Sequence, residues 1–353
     1  MRRGVKKELG SLATHRAYLG KPPKKGSVVP FPCNPAKVFA TQVNGLATRL
    51  KAIKCRDVVI GLSGGLDSTL ALLVADAAFA KLKYDKHGIH IYAMPGFGTS
   101  KRTKGNAELL CEGLGLKLEF ISIVKSVRQH LKDIGHDGKT PDVTYENAQA
   151  RMRTMILMDK ANMTHGIVLG TGDLSEIALG WSTYNGDHMS MFGVNNGVPK
   201  TVIRKVCAWW VERVSRFQGF KVSKLKMAVE AIRDIIDTPV SPELVKGQVT
   251  EDKIGPYELH DFFLWNFIMN EMGSKDLQSA AERYFLSASQ PCNLATSQPV
   301  TRELIAKTLR TFLWRFFTQA FKRNCQPDGI RVFPFELSLR GWWIPSDLGF
   351  VRV

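Results

Sequence analysis

The stretch DVVIGLSGGLDSTLALLVADAAFAKL, residues 57–82, constrains the fold of this chain more than any other. Val58 to Leu62 read as a short buried strand, the Ala- and Leu-rich run behind them reads as a helix, and two adjacent glycines join the two. The unit recurs. HIYAMP reads as a strand followed by a helix over 101–114, and KLEFISI as a strand followed by a helix over 124–134. GIVLGTGD reads as a strand that follows a long helix over 145–163. An amphipathic helix over 38–53 precedes them all, with Val38, Phe39, Val43, Leu46, Leu50 and Ile53 at helical spacing. This alternation predicts an α/β fold with a doubly wound, mostly parallel sheet, whose ligands bind where the strands end. The loops after Ile60, Met94 and Leu169 are therefore the informative ones.

After about residue 200 the alternation gives way to helices, in VIRKVCAWWVERV, KLKMAVEAIRDII and ELIAKTLRTFLWRFFTQAF. In the last of these Ile305, Leu309, Phe312, Phe316 and Phe321 share a face, which predicts a packing surface. DTPVSPEL and CNLATSQPV read as loops. The expected organisation is a basic arm over 1–29, an α/β core over 30–240 and a mainly helical C-terminal region over 241–353.

The chain carries a net charge of +17, much of it in the arm, where Arg2, Arg3, Lys6, Lys7, Arg16, Lys21, Lys24 and Lys25 face Glu8 alone. With Gly20, Pro22, Pro23 and Gly26 among them, a solvated tail is favoured over a docking arm for RNA or an acidic partner. No apolar run is long enough to span a bilayer and the N-terminus lacks the apolar core of a secretory signal, so a soluble, cytoplasmic protein is expected. The six cysteines and eight histidines show no metal-ligand spacing.

SGGLDS, Ser63 to Ser68, falls between strand and helix, where amides at a helix N-terminus attract anions. Gly64 and Gly65 allow close approach of an anion, and Ser63 and Ser68 offer hydroxyl donors. There is no Lys of the G-x-x-x-x-G-K-[ST] type at the helix start; Asp67 stands among the expected phosphate ligands instead. A carboxylate there repels phosphate unless a cation intervenes, so Asp67 implies Mg²⁺ bridging to the pyrophosphate portion of ATP. A capped glycine turn is the plain alternative for Gly-Gly alone.

Strand, SGGxDS loop and helix in this order resemble the N-type ATP pyrophosphatases, which transfer AMP from ATP to a substrate. Within that superfamily, GTGDLSEIALGWSTYNGDHMSMFGVNNGVPKT (170–201), YENAQARMRT (145–154), AMPGF (93–97), RFFTQAFKRN and the closing Pro-Ser-Asp resemble the NAD synthetases, specifically the synthetase part of glutamine-dependent bacterial enzymes. The similarity runs from about Phe31 to the C-terminus. It implies a catalytic set of Asp67, Glu176 and Lys200, with Asp67 and Glu176 holding Mg²⁺ and Lys200 on the phosphates. It implies an ATP site made by Gly61, Ser63, Gly64, Gly65, Asp67, Ser68, Pro95, Arg151, Thr171, Lys200 and Thr201. It places Asn147, Arg153, Asp173, Trp181, Tyr184, Asp187 and Asn195 at deamido-NAD. Arg151 and Arg153 also read as surface charges on a helix, and Trp181 and Tyr184 as loop packing.

The implied reaction adenylates the nicotinate carboxylate of deamido-NAD with ATP and amidates it with ammonia, giving NAD⁺, AMP and pyrophosphate. Only about thirty residues precede the matching region, too few for a glutaminase domain, so free ammonia or a separate glutaminase chain is the expected source, and a natural short form is favoured over a fragment. A homodimer or higher homo-oligomer is expected by the same resemblance. Two alternatives are a tRNA-modifying relative, disfavoured because no catalytic Cys pair or RNA module is visible, and a non-catalytic subunit that keeps the fold. Membrane and nucleic-acid partners are not expected.

Overall fold

The structure is a computed structural model that describes residues 30–216, 224–241, 244–245, 249–287, 299–338 and 341. The basic arm, most of CNLATSQPV, two residues of DTPVSPEL (Pro242 and Glu243) and the closing Pro-Ser-Asp lie outside the described residues.

Helix α1, Pro35–Ala52, starts where the Asn34 side chain accepts the Lys37 amide, and it buries Val38, Val43, Leu46 and Leu50. Next come β1 (Val58–Gly61), α2 (Leu66–Leu82), β2 (Ile89–Ala93), α3 (Lys101–Leu114) and β3 (Leu118–Phe120). They are followed by α4 (Val124–Asp133), α5 (Val143–Thr164), β4 (Ile167–Gly170), α6 (Leu174–Leu179) and β5 (Phe192–Gly193). The strands form one parallel sheet in the order β3-β2-β1-β4-β5. The doubly wound parallel sheet expected from the sequence is therefore present.

Alternation along β1 sends Val58 and Ile60 to one face and Val59 to the other. The first face is covered by α1, α2 and later helices. The second is covered by α4 and α5, through Ile123, Val127, Leu131, Ala148 and Ala161. Burial on both sides explains why β1 reads as an unbroken apolar run. β1 pairs with β2 on one flank and with β4 on the other, so chain direction across the sheet reverses beside β1 and a crevice opens between the ends of β1 and β4.

The remaining helices are α7 (Lys200–Ser215), α8 (Leu225–Ile236), α9 (Thr250–Ile254), α10 (Tyr257–Met269), α11 (Ser274–Phe285) and α12 (Arg302–Thr318). α10 packs on α6, α7 and α12. The expected face of the last helix holds for Ile305, Leu309, Phe312 and Phe316, but Phe321 departs from it. α12 ends at Thr318 and a 3-10 segment, Ala320–Cys325, rotates Phe321 outward, where its ring lies 5.4 Å from that of Tyr184. The chain then returns to the sheet: Gly193 N donates to Asp328 O at 2.7 Å and Ile330 N donates to Gly193 O at 3.1 Å. Gly45 makes room for Ile330, since a Cβ there would lie 2.9 Å from Ile330 Cγ1. No helix among the described residues is long and apolar enough to cross a membrane. Cys33, Cys55, Cys111, Cys207 and Cys325 are all unpaired.

His260, buried on α10, directs Nε2 at Ile254 O across 2.9 Å, a contact that requires a proton on that nitrogen, while Nδ1 is buried without a hydrogen-bond partner. Burial, with the Arg315 charge adding to it, pulls the imidazole down to about 4. The stability gained from a neutral His260 is complete above pH 6.5 and is lost as pH falls toward 4. The full loss amounts to about 3 kcal/mol. The neighbouring Asp261 carboxyl, pushed up by burial to about 6, acts in the opposite sense, since its cost is relieved as pH falls. His260→Gln keeps the donor to Ile254 and isolates the first effect. Urea unfolding at pH 7 and pH 4.5 is expected to show a smaller acid loss in the variant than in the parent; equal losses would mean that the imidazole does not titrate there.

Candidate active site

The loop after β1 turns at Gly64, whose φ of +80° lies in the left-handed region. A Cβ at Gly64 would sit 2.3 Å from Thr103 O, so backbone meets backbone there. Gly64→Ala is expected to destabilise the fold by about 2 kcal/mol or more. The readout is a lower urea midpoint with unchanged slope, and an unshifted midpoint would refute it. Gly65 is the extended N-cap of α2 and offers no side chain, which leaves the first amides of the helix for another acceptor. Ser63 is exposed; its Oγ accepts the Gly65 amide at 3.1 Å and lies 3.0 Å from Ser68 Oγ. Ser68 is buried and directs its hydrogen to Gly65 O at 3.1 Å. The Ser68 hydroxyl, a phosphate donor in the sequence reading, helps hold the shape of the turn.

Beneath this loop four charged side chains converge. Asp67 stands in the first turn of α2. Asp173 caps α6 and Glu176 reaches back to the Asp173 amide, a reciprocal capping box. Lys200 opens α7 behind Pro199. Lys200 Nζ lies 2.6 Å from Asp67 Oδ2, 2.7 Å from Asp173 Oδ2 and 2.9 Å from Glu176 Oε1. Burial pushes Asp173 well up, with Glu176 adding to it, and burial likewise raises Glu176, to about 7. Burial acts to lower Lys200, but its three carboxylates outweigh that and hold the ammonium well above its usual value. One ammonium thus faces three acids. Asp67 Oδ1 is buried with no hydrogen-bond partner, and one oxygen from each of Asp67, Asp173 and Glu176 lies within 4.8 Å of the others. An orphaned carboxylate oxygen in a cluster with surplus negative charge suits a hard divalent cation such as Mg²⁺.

A cleft of about 770 Å³ opens over the loop. Of the residues anticipated from sequence, Gly61, Ser63, Gly64, Gly65, Asp67, Ser68, Pro95, Asn147, Arg153, Thr171, Glu176, Trp181 and Asp187 line it. Arg153 Nε donates to Met94 O at 3.1 Å, and Asn147 Oδ1 accepts from Thr183 Oγ1 at 2.7 Å. Asp187, raised by burial, accepts the Thr183 amide at 2.7 Å.

The other expected residues stand elsewhere. Lys200, expected on the phosphates, is 1% exposed and faces carboxylates, because those acids are the nearest compensation for a buried ammonium. Asp173, expected at the dinucleotide, is fully buried and belongs to the acid cluster. Thr201, expected at ATP, gives its amide at 3.0 Å and its hydroxyl at 2.7 Å to Asp261 Oδ2. Asn195 is buried as a strut: Nδ2 donates to Asp67 O at 2.9 Å and to Thr171 O at 3.1 Å, and Oδ1 accepts from Gln42 Nε2 at 2.9 Å. Tyr184 lies on the surface against His188 and Phe321, and exposed Arg151 donates to Tyr184 O at 3.2 Å. Neither Arg151 nor Tyr184 lines the cleft.

Among the cleft cations that the sequence reading does not anticipate are Arg315 and Lys322. Arg315 Nε donates to Leu179 O at 2.9 Å with its guanidinium 4.8 Å from the Trp181 ring centroid, and Lys322 Nζ donates to Gly180 O at 2.9 Å and Ser182 O at 2.7 Å. Both come from the C-terminal region and neither sits in a local motif. Asp261 was also missed, although an acid within the apolar run YELHDFFLWNF was a usable signal of a buried polar contact.

The sequence profile of the family described as NAD synthase matches residues 38–286. A glutamine-dependent NAD(+) synthetase of Mycobacterium tuberculosis (strain ATCC 25618 / H37Rv) is 39% identical over 330 residues, covering 88% of this chain and 47% of that protein. One from Thermotoga maritima is 30% identical over 254 residues, covering 71% and 41%. The chain spans about half the length of the curated relatives it matches. Among solved structures, a glutamine-dependent NAD(+) synthetase from Cytophaga hutchinsonii superposes with a TM-score of 0.64 at 16% identity, covering 88% of this chain and 54% of that one. An NMN synthetase from Francisella tularensis gives 0.54 at 23%, covering 74% and 100%. At such identities these two structures speak for the fold.

Proposed function

The chain belongs to the NAD synthase family, and on that premise we propose that it is a carbon–nitrogen ligase that converts deamido-NAD to NAD⁺ at the expense of ATP. The observation that carries this reading is the convergence of Asp67, Asp173 and Glu176 on Lys200 beneath a glycine loop at the sheet's switch point.

The first amides of α2, left without a side-chain cap, hold ATP phosphate oxygens at the positive end of the helix. Asp67, Asp173 and Glu176 would hold Mg²⁺, which when bound neutralises charge on the phosphates and on the departing pyrophosphate. Lys200 fixes the three acids relative to one another and limits their mutual repulsion. The cleft wall with Asn147, Arg153, Trp181 and Asp187 takes the dinucleotide. A carboxylate oxygen of deamido-NAD forms a bond to the α-phosphorus of ATP as the bond to the bridging oxygen breaks and pyrophosphate leaves. Ammonia then bonds to the acyl carbon, AMP departs with the carbon–oxygen electron pair, and the nitrogen loses a proton. No side chain becomes covalently attached; the protein contributes position and charge.

The test is incubation with ATP, Mg²⁺ and deamido-NAD, with ammonia or glutamine supplied separately. Pyrophosphate is expected only when deamido-NAD is present, together with stoichiometric AMP and NAD⁺. ATP consumption with ammonia and deamido-NAD but without NAD⁺ would reject the reading. The ammonia and glutamine arms separate use of free ammonia from use of an amide donor.

A further inference from the structure

Asp261 is a buried acid that the chemistry above does not use, and it comes from α10, outside the sheet. We propose that Asp261 is a positioning residue, holding Lys200 and the acid cluster in register by tying the start of α7 to α6. This rests on the amidation reading and extends it to a residue with no contact to substrate.

α7 begins at Lys200 behind Pro199, which has no side-chain group to cap it, so the first amides of the helix need outside acceptors. Two other helices supply them. Ser175 Oγ of α6 accepts the Lys200 amide at 2.9 Å. Asp261 Oδ2 accepts the Thr201 amide at 3.0 Å and the Thr201 hydroxyl at 2.7 Å. Asp261 Oδ1 accepts the Ser175 hydroxyl, so one carboxylate grips both the residue that holds Lys200 and the residue after it. Ser175 lies between Asp173 and Glu176 in the chain, and the same carboxylate therefore orients the helix that bears two of the three acids.

The geometry of the cluster depends on this tie. Lys200 Nζ makes its three contacts between 2.6 and 2.9 Å, and a shift of the α7 start by about 1 Å would break them. No Lys, Arg or His among the described residues forms an ion pair with Asp261; the amide and hydroxyl donors and the positive end of α7 stabilise its charge. Burial of a carboxylate is costly, and an apolar residue would pack α10 at least as well, so the group is better explained by the geometry it enforces than by stability.

The test compares Asp261→Asn, Thr201→Val and Ser175→Ala with the parent chain in the NAD⁺-forming assay, each combined with Lys200→Ala. Asp261→Asn is expected to lower kcat by about 10- to 100-fold with KM for ATP within about threefold. Thr201→Val, which removes one of the donors, is expected to lower kcat by about two- to tenfold. In the Lys200→Ala background both losses are expected to shrink, because the tie acts largely through Lys200. Losses that multiply in that background, or an Asp261→Asn chain with parental kcat, would overturn the proposal. Should Asp261→Asn not fold, Thr201→Val and Ser175→Ala carry the test, and unchanged kcat in both would be the refutation. Calorimetry of ATP with and without Mg²⁺ reads the same geometry without turnover. The Mg²⁺-dependent gain in ATP affinity is expected to shrink by about two- to threefold in Asp261→Asn, and an unchanged gain would count against the tie. A parent chain that makes no NAD⁺ would defeat the amidation reading, while the calorimetric arm would still decide the role of Asp261.

Discussion

Asp67→Asn is expected to lower NAD⁺ formation by about 100- to 1,000-fold while leaving the chain folded. The substitution preserves size and shape, so the loop keeps its packing, and Asn195 still holds the backbone carbonyl of residue 67. What changes is charge. Asp67 contributes one of the three oxygens that lie within 4.8 Å, and its Oδ1 is buried without a hydrogen-bond partner. An amide oxygen in that place binds a hard cation weakly, and the amide nitrogen meets Lys200, a donor facing a donor. The loss of fold stability is small, because Lys200 keeps Asp173 and Glu176. Steady-state rates with deamido-NAD and ammonia, together with ATP calorimetry at fixed Mg²⁺, provide the check. Turnover within about threefold of the parent, or an unchanged Mg²⁺ requirement, would remove Asp67 from the metal set.

That expectation could be framed from sequence because the information lay in one local unit. Strand, glycine turn and helix over 57–82 declare themselves by periodicity, and the helix expected over 101–114 is the one observed. Four of the five strands are visible in the sequence, although the edge strand β3 is half-buried to exposed. β5 is not visible there, because its two residues are too short to carry a period and are paired by β4 and by Gly329 from more than a hundred residues away. Phe321 followed the helical period of the residues before it, but the helix changes to a tighter turn just ahead of it and the phase is lost.

In the site, the pair Asp173 and Glu176 is legible twice over, since the spacing D-x-x-E is both a capping box and a source of two oxygens. The cap draws Asp173 inward, and this burial places it in the acid cluster. Asn195, Thr201 and Arg151 resemble binding residues by type and by place in the chain. Their partners are the Asp67 carbonyl, Asp261 and the Tyr184 carbonyl, none of which a linear reading can pair with them. Arg315 and Lys322 are invisible for the same reason, since they reach the cleft only because α12 folds back against α6.

Lys200→Met shows why the cluster cannot be understood one residue at a time. Met has similar length and fits the stem of the side chain, so packing changes little, but the ammonium that the three carboxylates share is lost. Removing one partner from a buried ionic group leaves uncompensated charge, and the expected cost is about 3–5 kcal/mol of fold stability. Asp173 bears most of it, being fully buried and already pushed up by burial. Turnover is expected to fall by about 100- to 1,000-fold and to stay measurable, because the acids no longer share a fixed centre. The accompanying expectation runs against ordinary intuition about a damaged site. With the ammonium gone, a divalent cation neutralises the acids without their taking up protons, so added Mg²⁺ should raise the melting temperature of the variant more than that of the parent. Thermal unfolding of both chains across a Mg²⁺ series measures this directly. Equal Mg²⁺ shifts in the two would mean that the three carboxylates do not form the cation site. A variant as stable as the parent without Mg²⁺ would mean that Lys200 does not balance their charge.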